Sequence, residues 1–318
     1  MCARSRNPPR AAAKRRRTMT KPAIGFIGLG LMGSAMVQRL IDLGYTMTVL
    51  ANRSRANVEK AVARGATEVT TARELAARSD VIMLCVDTSA SVEERMYGDD
   101  GVIAGLRRGT IAIDFGTSLP GSTRRIGEAV AARGAHYLDA PLGRTPAHAV
   151  DGKLNIMCAG EEAIFDKVRP VLDDLGENVF HLGPLGSGHT IKLINNFFAM
   201  TMVSALSEAF AVADLAGVER EKLYNVMSAG PLHSGMMDFI KANAVDGIKD
   251  KLAFSIRNAR KDVGYYSAMA EEAGAASLVS PATKQAFSLA LACNFGDRMV
   301  PELVDFFAAL YAGEFKAD

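Results

Sequence analysis

Cysteine and histidine are scarce in this 318-residue chain, with four and five copies. Cys2, Cys85, Cys158 and Cys293 form no C-x-x-C pair, none has histidines at zinc spacing, and no H-E-x-x-H occurs. A bound metal and a disulfide framework are therefore not expected. Cys85 and Cys158 lie in apolar runs and read as buried thiols in a reducing, cytoplasmic setting. No apolar stretch approaches the ~20 residues that span a bilayer, so no membrane partner is expected. A basic excess is missing too. The formal charge of +2 rests on Arg4, Arg6, Arg10, Lys14, Arg15, Arg16 and Arg17, which share the first 20 residues with no acid. The remainder holds 30 basic against 35 acidic residues, a balance that offers nothing to nucleic acid.

What is present is ordinary for a soluble globular protein: 49% hydrophobic and 23% charged residues. Residues 1–20 lack the apolar centre of a secretory signal and read as a disordered basic tail. The reading preferred is an upstream translation start, with Met19 the true first residue; a transit peptide or a basic localisation signal at Lys14–Arg17 are the others. Short β-rich runs then alternate with helical runs. Strands are expected at Ala23–Gly28, Thr46–Leu50, Val81–Val86, Thr110–Phe115, Tyr137–Asp139, Leu154–Cys158 and Val179–Leu182. Helices include Ser34–Leu43, Asn57–Arg64, Ala72–Ala77 and Ser122–Arg133. This alternation predicts an α/β Rossmann domain, a doubly wound parallel sheet, over 21–184. Beyond the Gly-rich stretch Gly183–Gly188 the pattern becomes helical throughout, predicting an all-α domain over 185–318. It opens with a long, mostly buried helix, Thr190–Leu215. Helices at Glu219–Ser228, Met236–Asn243, Ile256–Ala273, Pro281–Ala292 and Pro301–Ala312 follow.

Gly28-Leu29-Gly30-Leu31-Met32-Gly33 follows the first strand and opens the first helix. In that context Gly28 permits a tight turn, Gly30 lets the backbone approach a pyrophosphate, and Gly33 allows close helix–strand packing. Val86, ending its strand, is placed with these residues. At the end of the second strand an NAD enzyme carries an acid for the ribose 2′-hydroxyl. Here Ala51-Asn52-Arg53-Ser54-Arg55 stands instead. Asn52 and Arg53 are placed at the ribose, and Arg53 or Arg55 is available to a 2′-phosphate. NADP is the preferred cofactor, with NAD the alternative.

Lys192, Asn195 and Asn196 fall at i, i+3 and i+4 on the long helix and so share a face. A lysine and two amides inside an apolar helix call for polar partners. By spacing alone, a solvated lysine beside a subunit contact competes evenly with a catalytic one.

Four motifs in order resemble the β-hydroxyacid dehydrogenase family, the family of 3-hydroxyisobutyrate dehydrogenase and tartronate semialdehyde reductase. They are Gly25–Gly33, Asp139-Ala140-Pro141-Leu142-Gly143, Gly186-Ser187-Gly188-His189-Thr190-Ile191-Lys192-Leu193-Ile194-Asn195-Asn196, and Lys261-Asp262. The resemblance implies hydride exchange between a nicotinamide and a small aldehyde or hydroxy acid. Lys192 becomes the general acid/base, and Asn195 and Asn196 hold substrate and lysine in place. Thr117 and Lys261 fall near the nicotinamide, and a homodimer or homotetramer is implied. The substrate loop departs from the family form: Gly143 replaces a serine, and Arg144 and Thr145 replace two glycines. This form is similar to the sulfolactaldehyde reductase branch. Gly143, Arg144 and Thr145 are expected to line the substrate, with the Arg144 fork taking its anionic group. His233 and Ser234 are placed in a loop approaching the same site. The alternatives are an imine reductase-like enzyme, which would lack the lysine, and a non-catalytic dinucleotide-binding protein.

Overall fold

The computed structural model describes residues 21–51 and 55–315. The first half alternates β1 (Ile24–Ile27), α1 (Leu31–Asp42), β2 (Met47–Leu50), α2 (Arg55–Ala63), β3 (Thr67–Val69), α3 (Ala72–Ala77) and β4 (Val81–Leu84). Then come α4 (Ser89–Met96), α5 (Val102–Gly105), β5 (Ile111–Asp114), α6 (Pro120–Ala131) and β6 (His136–Asp139). These six strands form one parallel sheet in the order β3-β2-β1-β4-β5-β6. That order reverses direction between β1 and β4, the switch point where such sheets bind ligands outside their carboxyl ends. Strands β1, β2, β4 and β5 are buried at every position. Their alternate residues feed two cores, one on each face. Ile24, Phe26, Val81 and Met83 join the first; Ile27, Ile82 and Leu84 join the second. Each such side chain contributes about 1.5–3 kcal/mol of burial.

A separate three-stranded sheet follows, built from β7 (Leu142–Gly143), β8 (Leu154–Cys158) and β9 (Gly176–His181), with α7 (Pro146–Val150) and α8 (Glu162–Leu175) between them. This corrects the expectation that Leu154–Cys158 and Val179–Leu182 extend the doubly wound sheet. Asp139 makes a single antiparallel bridge to Ala159, β7 pairs antiparallel to β8, and only β8 and β9 run parallel. The burial pattern carries the reason: β8 alternates buried and half-buried residues, the mark of a sheet covered on one face. Burial pushes the Cys85 thiol up to about 12 and the Cys158 thiol higher still, so both are inert in this setting.

The second half is helical: α9 (Ser187–Leu215), α10 (Arg220–Ser228), α11 (Gly235–Ala244), α12 (Ile256–Glu272), α13 (Ser280–Ala292) and α14 (Leu303–Tyr311). A 3₁₀ turn at Val300–Glu302 takes the start of the expected Pro301–Ala312 helix. Helix α9 is the axis, packed by α11, α12, α13 and α14 around Met200, Val203, Phe210 and Phe306. Its 29 residues are long and apolar enough to cross a membrane, which corrects the expectation that no segment approaches that length. Its covered face and its cargo of Lys192, Asn195, Asn196 and Glu208 instead fit the core helix of a helical bundle.

Candidate active site

At the sheet's switch point the glycine turn has the geometry read from its spacing. Gly28 sits at φ 99°, a left-handed conformation that a side chain strains against. A Cβ on Gly28 would stand 2.3 Å from the Cys85 carbonyl oxygen and 2.9 Å from Val86, which places Val86 against the turn. One on Gly33 would stand 1.9 Å from the Gly28 carbonyl oxygen. Around Gly30 there is open space instead. Gly30 also precedes α1 without any side-chain cap, leaving the helix's first N–H groups available to an anion. This cradle fits a dinucleotide pyrophosphate. Asn57, which the sequence reading passed over, braces it by donating to the Leu29 carbonyl at 2.8 Å.

Strand β2 ends at Leu50 and is followed by Ala51; Asn52 and Arg53 lie outside the described residues. Arg55 is described. Its guanidinium is paired with Glu68 and Glu59 on the surface, so it is not the free 2′-phosphate partner that the sequence allowed.

On the other side of the cleft, Lys192 emerges from the second turn of α9, half-buried, and its Nζ donates to the Leu142 carbonyl at 2.7 Å. That carbonyl belongs to β7 at the head of the substrate loop, so the amine faces the loop rather than bulk water. Burial lowers the Lys192 pKa below its ordinary value. Lys261 pushes the same way, while Asp262 opposes. Asn196 is buried one turn further on and donates to Asp262 Oδ2 at 2.7 Å. Asn195 is exposed and reaches Asn196 Oδ1 at 3.3 Å. Lys261 lies 3.0 Å from the other Asp262 oxygen and donates to the Asp87 carbonyl, with the Thr117 carbonyl at 3.5 Å. A polar chain therefore runs from the loops after β4 and β5, through Lys261 and Asp262 on α12, to the amide face of α9. The sequence quoted Asp262 only as a motif letter; its burial at 2% exposure is what makes it the hub.

The loop Leu142–Thr145 is tied into its own neighbourhood. Arg144 Nη1 donates to Glu177 of β9 and to the Lys153 carbonyl, at 2.5 and 2.7 Å. Both contacts use one nitrogen, Nη1, which ties the arginine to Glu177 and to the backbone just before β8. The residue also sits at φ 74°, an unusual conformation outside glycine. The Thr145 hydroxyl pairs with His148 Nδ1 at 2.8 Å. A Cβ on Gly143 would come 3.2 Å from the Cβ of Asn155, whose side chain is bonded to Asn178 at 2.8 Å. His233 and Ser234 have local structural work: Ser234 caps α11, and His233 pairs with Asp238 at 2.9 Å. Among the described residues no cluster could hold a metal ion.

With this geometry in place, comparison with known proteins is decisive. Residues 23–183 match the model of the NAD-binding domain of 6-phosphogluconate dehydrogenase. Residues 186–306 match the NAD-binding model of NADP-dependent 3-hydroxyisobutyrate dehydrogenase. The chain belongs to the β-hydroxyacid dehydrogenase family. It is 33% identical to 2-(hydroxymethyl)glutarate dehydrogenase of Eubacterium barkeri over 68% of this chain and 71% of that one. It is 28% identical to glyoxylate/succinic semialdehyde reductase 1 of Arabidopsis thaliana over 93% and 99%. The fold matches 3-hydroxyisobutyrate dehydrogenase of Mycobacterium tuberculosis, solved with L-serine, at a TM-score of 0.81 and 24% identity, covering 90% of this chain and 99% of that one. The family's members are NAD(P)-dependent oxidoreductases of small hydroxy acids and semialdehydes, and NAD(P) is the cofactor of this member too; the geometry of the Gly28–Gly33 cradle fits it.

Proposed function

We propose that this family member reduces a small acid-bearing aldehyde, a semialdehyde or sulfolactaldehyde type, to its hydroxy acid, with NADP(H) preferred and Lys192 as general acid/base. The observation carrying this reading is the Lys192 amine, half-buried against the Leu142 carbonyl, with its affinity for the proton lowered by burial. The nicotinamide, when bound, supplies or accepts the hydride at the carbonyl carbon. Lys192 gives its proton to the carbonyl oxygen in reduction and takes it back from the hydroxyl in oxidation. Asn196, oriented by Asp262, keeps that face of α9 polar where the amine stands. NADP preference is supported by Ala51 just after β2, where no acid opposes a 2′-phosphate. The retained lysine favours this reading over an imine reductase.

The partner reading is a second copy of this chain. Ile191, Ile194, Phe198, Val212 and Leu215 leave an apolar face of α9 exposed, Phe198 by 66%. The experiment is a panel of carboxylate-, sulfonate- and hydroxyl-bearing aldehydes assayed with NADPH and NADH. Turnover confined to acid-bearing aldehydes, higher with NADPH, is expected. Turnover of cyclic imines alone would overturn the proposal.

A further inference from the structure

The Asp139 carboxylate is fully buried at the carboxyl end of β6, yet it belongs to the helical half as much as to its own strand. Its Oδ1 accepts the Gly186 N–H and its Oδ2 the His189 N–H, both at 2.7 Å. These donors stand at the N-terminus of α9, where four N–H groups have no partner within the helix and the dipole favours negative charge. Helix α9 has no side-chain cap of its own. Asp139 therefore caps it from another element, 47 residues earlier in the chain. Three residues past Asp139, the Leu142 carbonyl accepts the Lys192 amine. One short segment thus grips α9 twice, at its first N–H groups and at Lys192 one turn later.

The contact is tight. A Cβ on Gly188 would stand 2.3 Å from the Met157 carbonyl oxygen and 2.8 Å from Asp139 Oδ2, so α9 can seat this deeply only with glycine there. Behind the cap His189 is fully buried. The Thr123 hydroxyl and His189 Nδ1 share a hydrogen bond at 2.7 Å, and the Leu119 carbonyl stands 3.1 Å from the same hydroxyl. The imidazole lies between two buried carboxylates, 3.8 Å from Asp139 and 3.7 Å from Asp114. Asp114 is itself held by the Gly116 N–H and the Ser118 hydroxyl, each at 2.8 Å. Burial raises the Asp139 pKa, and the two N–H groups and His189 work against that rise.

We propose that Asp139, backed by His189, is a positioning residue for the reaction: its buried carboxylate docks the first turn of α9 on the carboxyl edge of the sheet and so fixes the Lys192 amine over the substrate loop. A helix N-terminus released from this cap would tilt or fray. Lys192, one turn in, would move away from the Leu142 carbonyl and gain water. A shift of about 1 Å at a reacting group costs on the order of a hundredfold in rate.

This inference rests on the acid/base reading of Lys192, so the experiment carries three variants: Asp139→Ala, the isosteric Asp139→Asn, and Lys192→Ala. For folded protein with NAD(P)H affinity kept, Asp139→Ala should lower kcat by about a hundredfold. The alkaline limb of the reduction pH profile should also move up toward the ordinary lysine range as the amine gains water. Asp139→Asn keeps one acceptor oxygen and should fall between that variant and the parent in both readouts. If Asp139→Ala does not fold, Asp139→Asn decides alone. Folded Asp139 variants with the parent's kcat and pH limb, lowered only in Tm, would overturn the positioning role while leaving Lys192 in place. Full activity in Lys192→Ala would instead overturn the acid/base reading beneath it.

Discussion

The glycine turn Gly28–Gly33 and the substrate loop Asp139–Thr145 stand at the same carboxyl edge of the protein, yet they are built by different means. The turn is made by backbone. Its shape depends on absent side chains at Gly28 and Gly33 and on open room at Gly30. The loop is made by side chains that find partners far along the sequence: Asp139 with the start of α9, Arg144 with Glu177, and Lys192 with the Leu142 carbonyl. A backbone device is local and tolerates little change. A device of distant pairs can be retuned one partner at a time, which is how one fold serves many small hydroxy acids.

The sharpest way to break the first device is Gly33→Ala, whose methyl must displace the Gly28 carbonyl. It should abolish dinucleotide binding and cost ~1–3 kcal/mol of stability, read by calorimetry and denaturant melts. Gly30→Ala adds its methyl to open space, so stability should hold while cofactor affinity falls. Equal stability losses in the two variants would contradict the division of labour within the turn.

On the loop side, Lys192→Met removes a half-buried amine whose pKa desolvation holds below the ordinary lysine value. Below that lowered pKa the folded protein bears the full cost of a buried charge. As pH rises from the lowered value to the ordinary one, the unfolded chain holds more protons than the folded one, so parent stability climbs. The variant's gain in Tm over the parent should therefore be greatest at neutral pH and shrink as pH approaches 10.5. A difference that ignores pH would mean the amine is not desolvated. The smallest effect should come from Arg144. Its partly exposed pairing with Glu177 contributes little, so Arg144→Ala should leave the substrate KM within about threefold of the parent. Arg144→Gly should be more stable than Arg144→Ala by ~1 kcal/mol, because glycine accepts φ 74°. A larger rise in KM would give Arg144 the anion-binding role instead.

The same contrast explains what could be read beforehand. The strand–turn–helix around Gly28–Gly33 was legible because period, flanks and glycine spacing are local properties of the chain. The face shared by Lys192 and Asn196 was legible for the same reason, since a helix fixes which residues meet. The second sheet was not, because nothing in Leu154–Cys158 alone says which strand it will bond. The Arg144 contact was hidden for a related reason: its partner Glu177 lies 33 residues away, and a guanidinium takes whichever carboxylate the fold brings nearest. The docking of His189 and Asp139 was likewise hidden. A histidine at a helix start and an aspartate at a strand end show no relation until the two halves are packed together.

The most direct test of the account is single-turnover hydride transfer in Lys192→Ala, with NADPH affinity measured in parallel by cofactor fluorescence. If the amine on the Leu142 carbonyl moves the proton, the transfer rate should fall by about 10²–10⁴ while NADPH binds as in the parent. A variant that transfers hydride within a few-fold of the parent rate would contradict it.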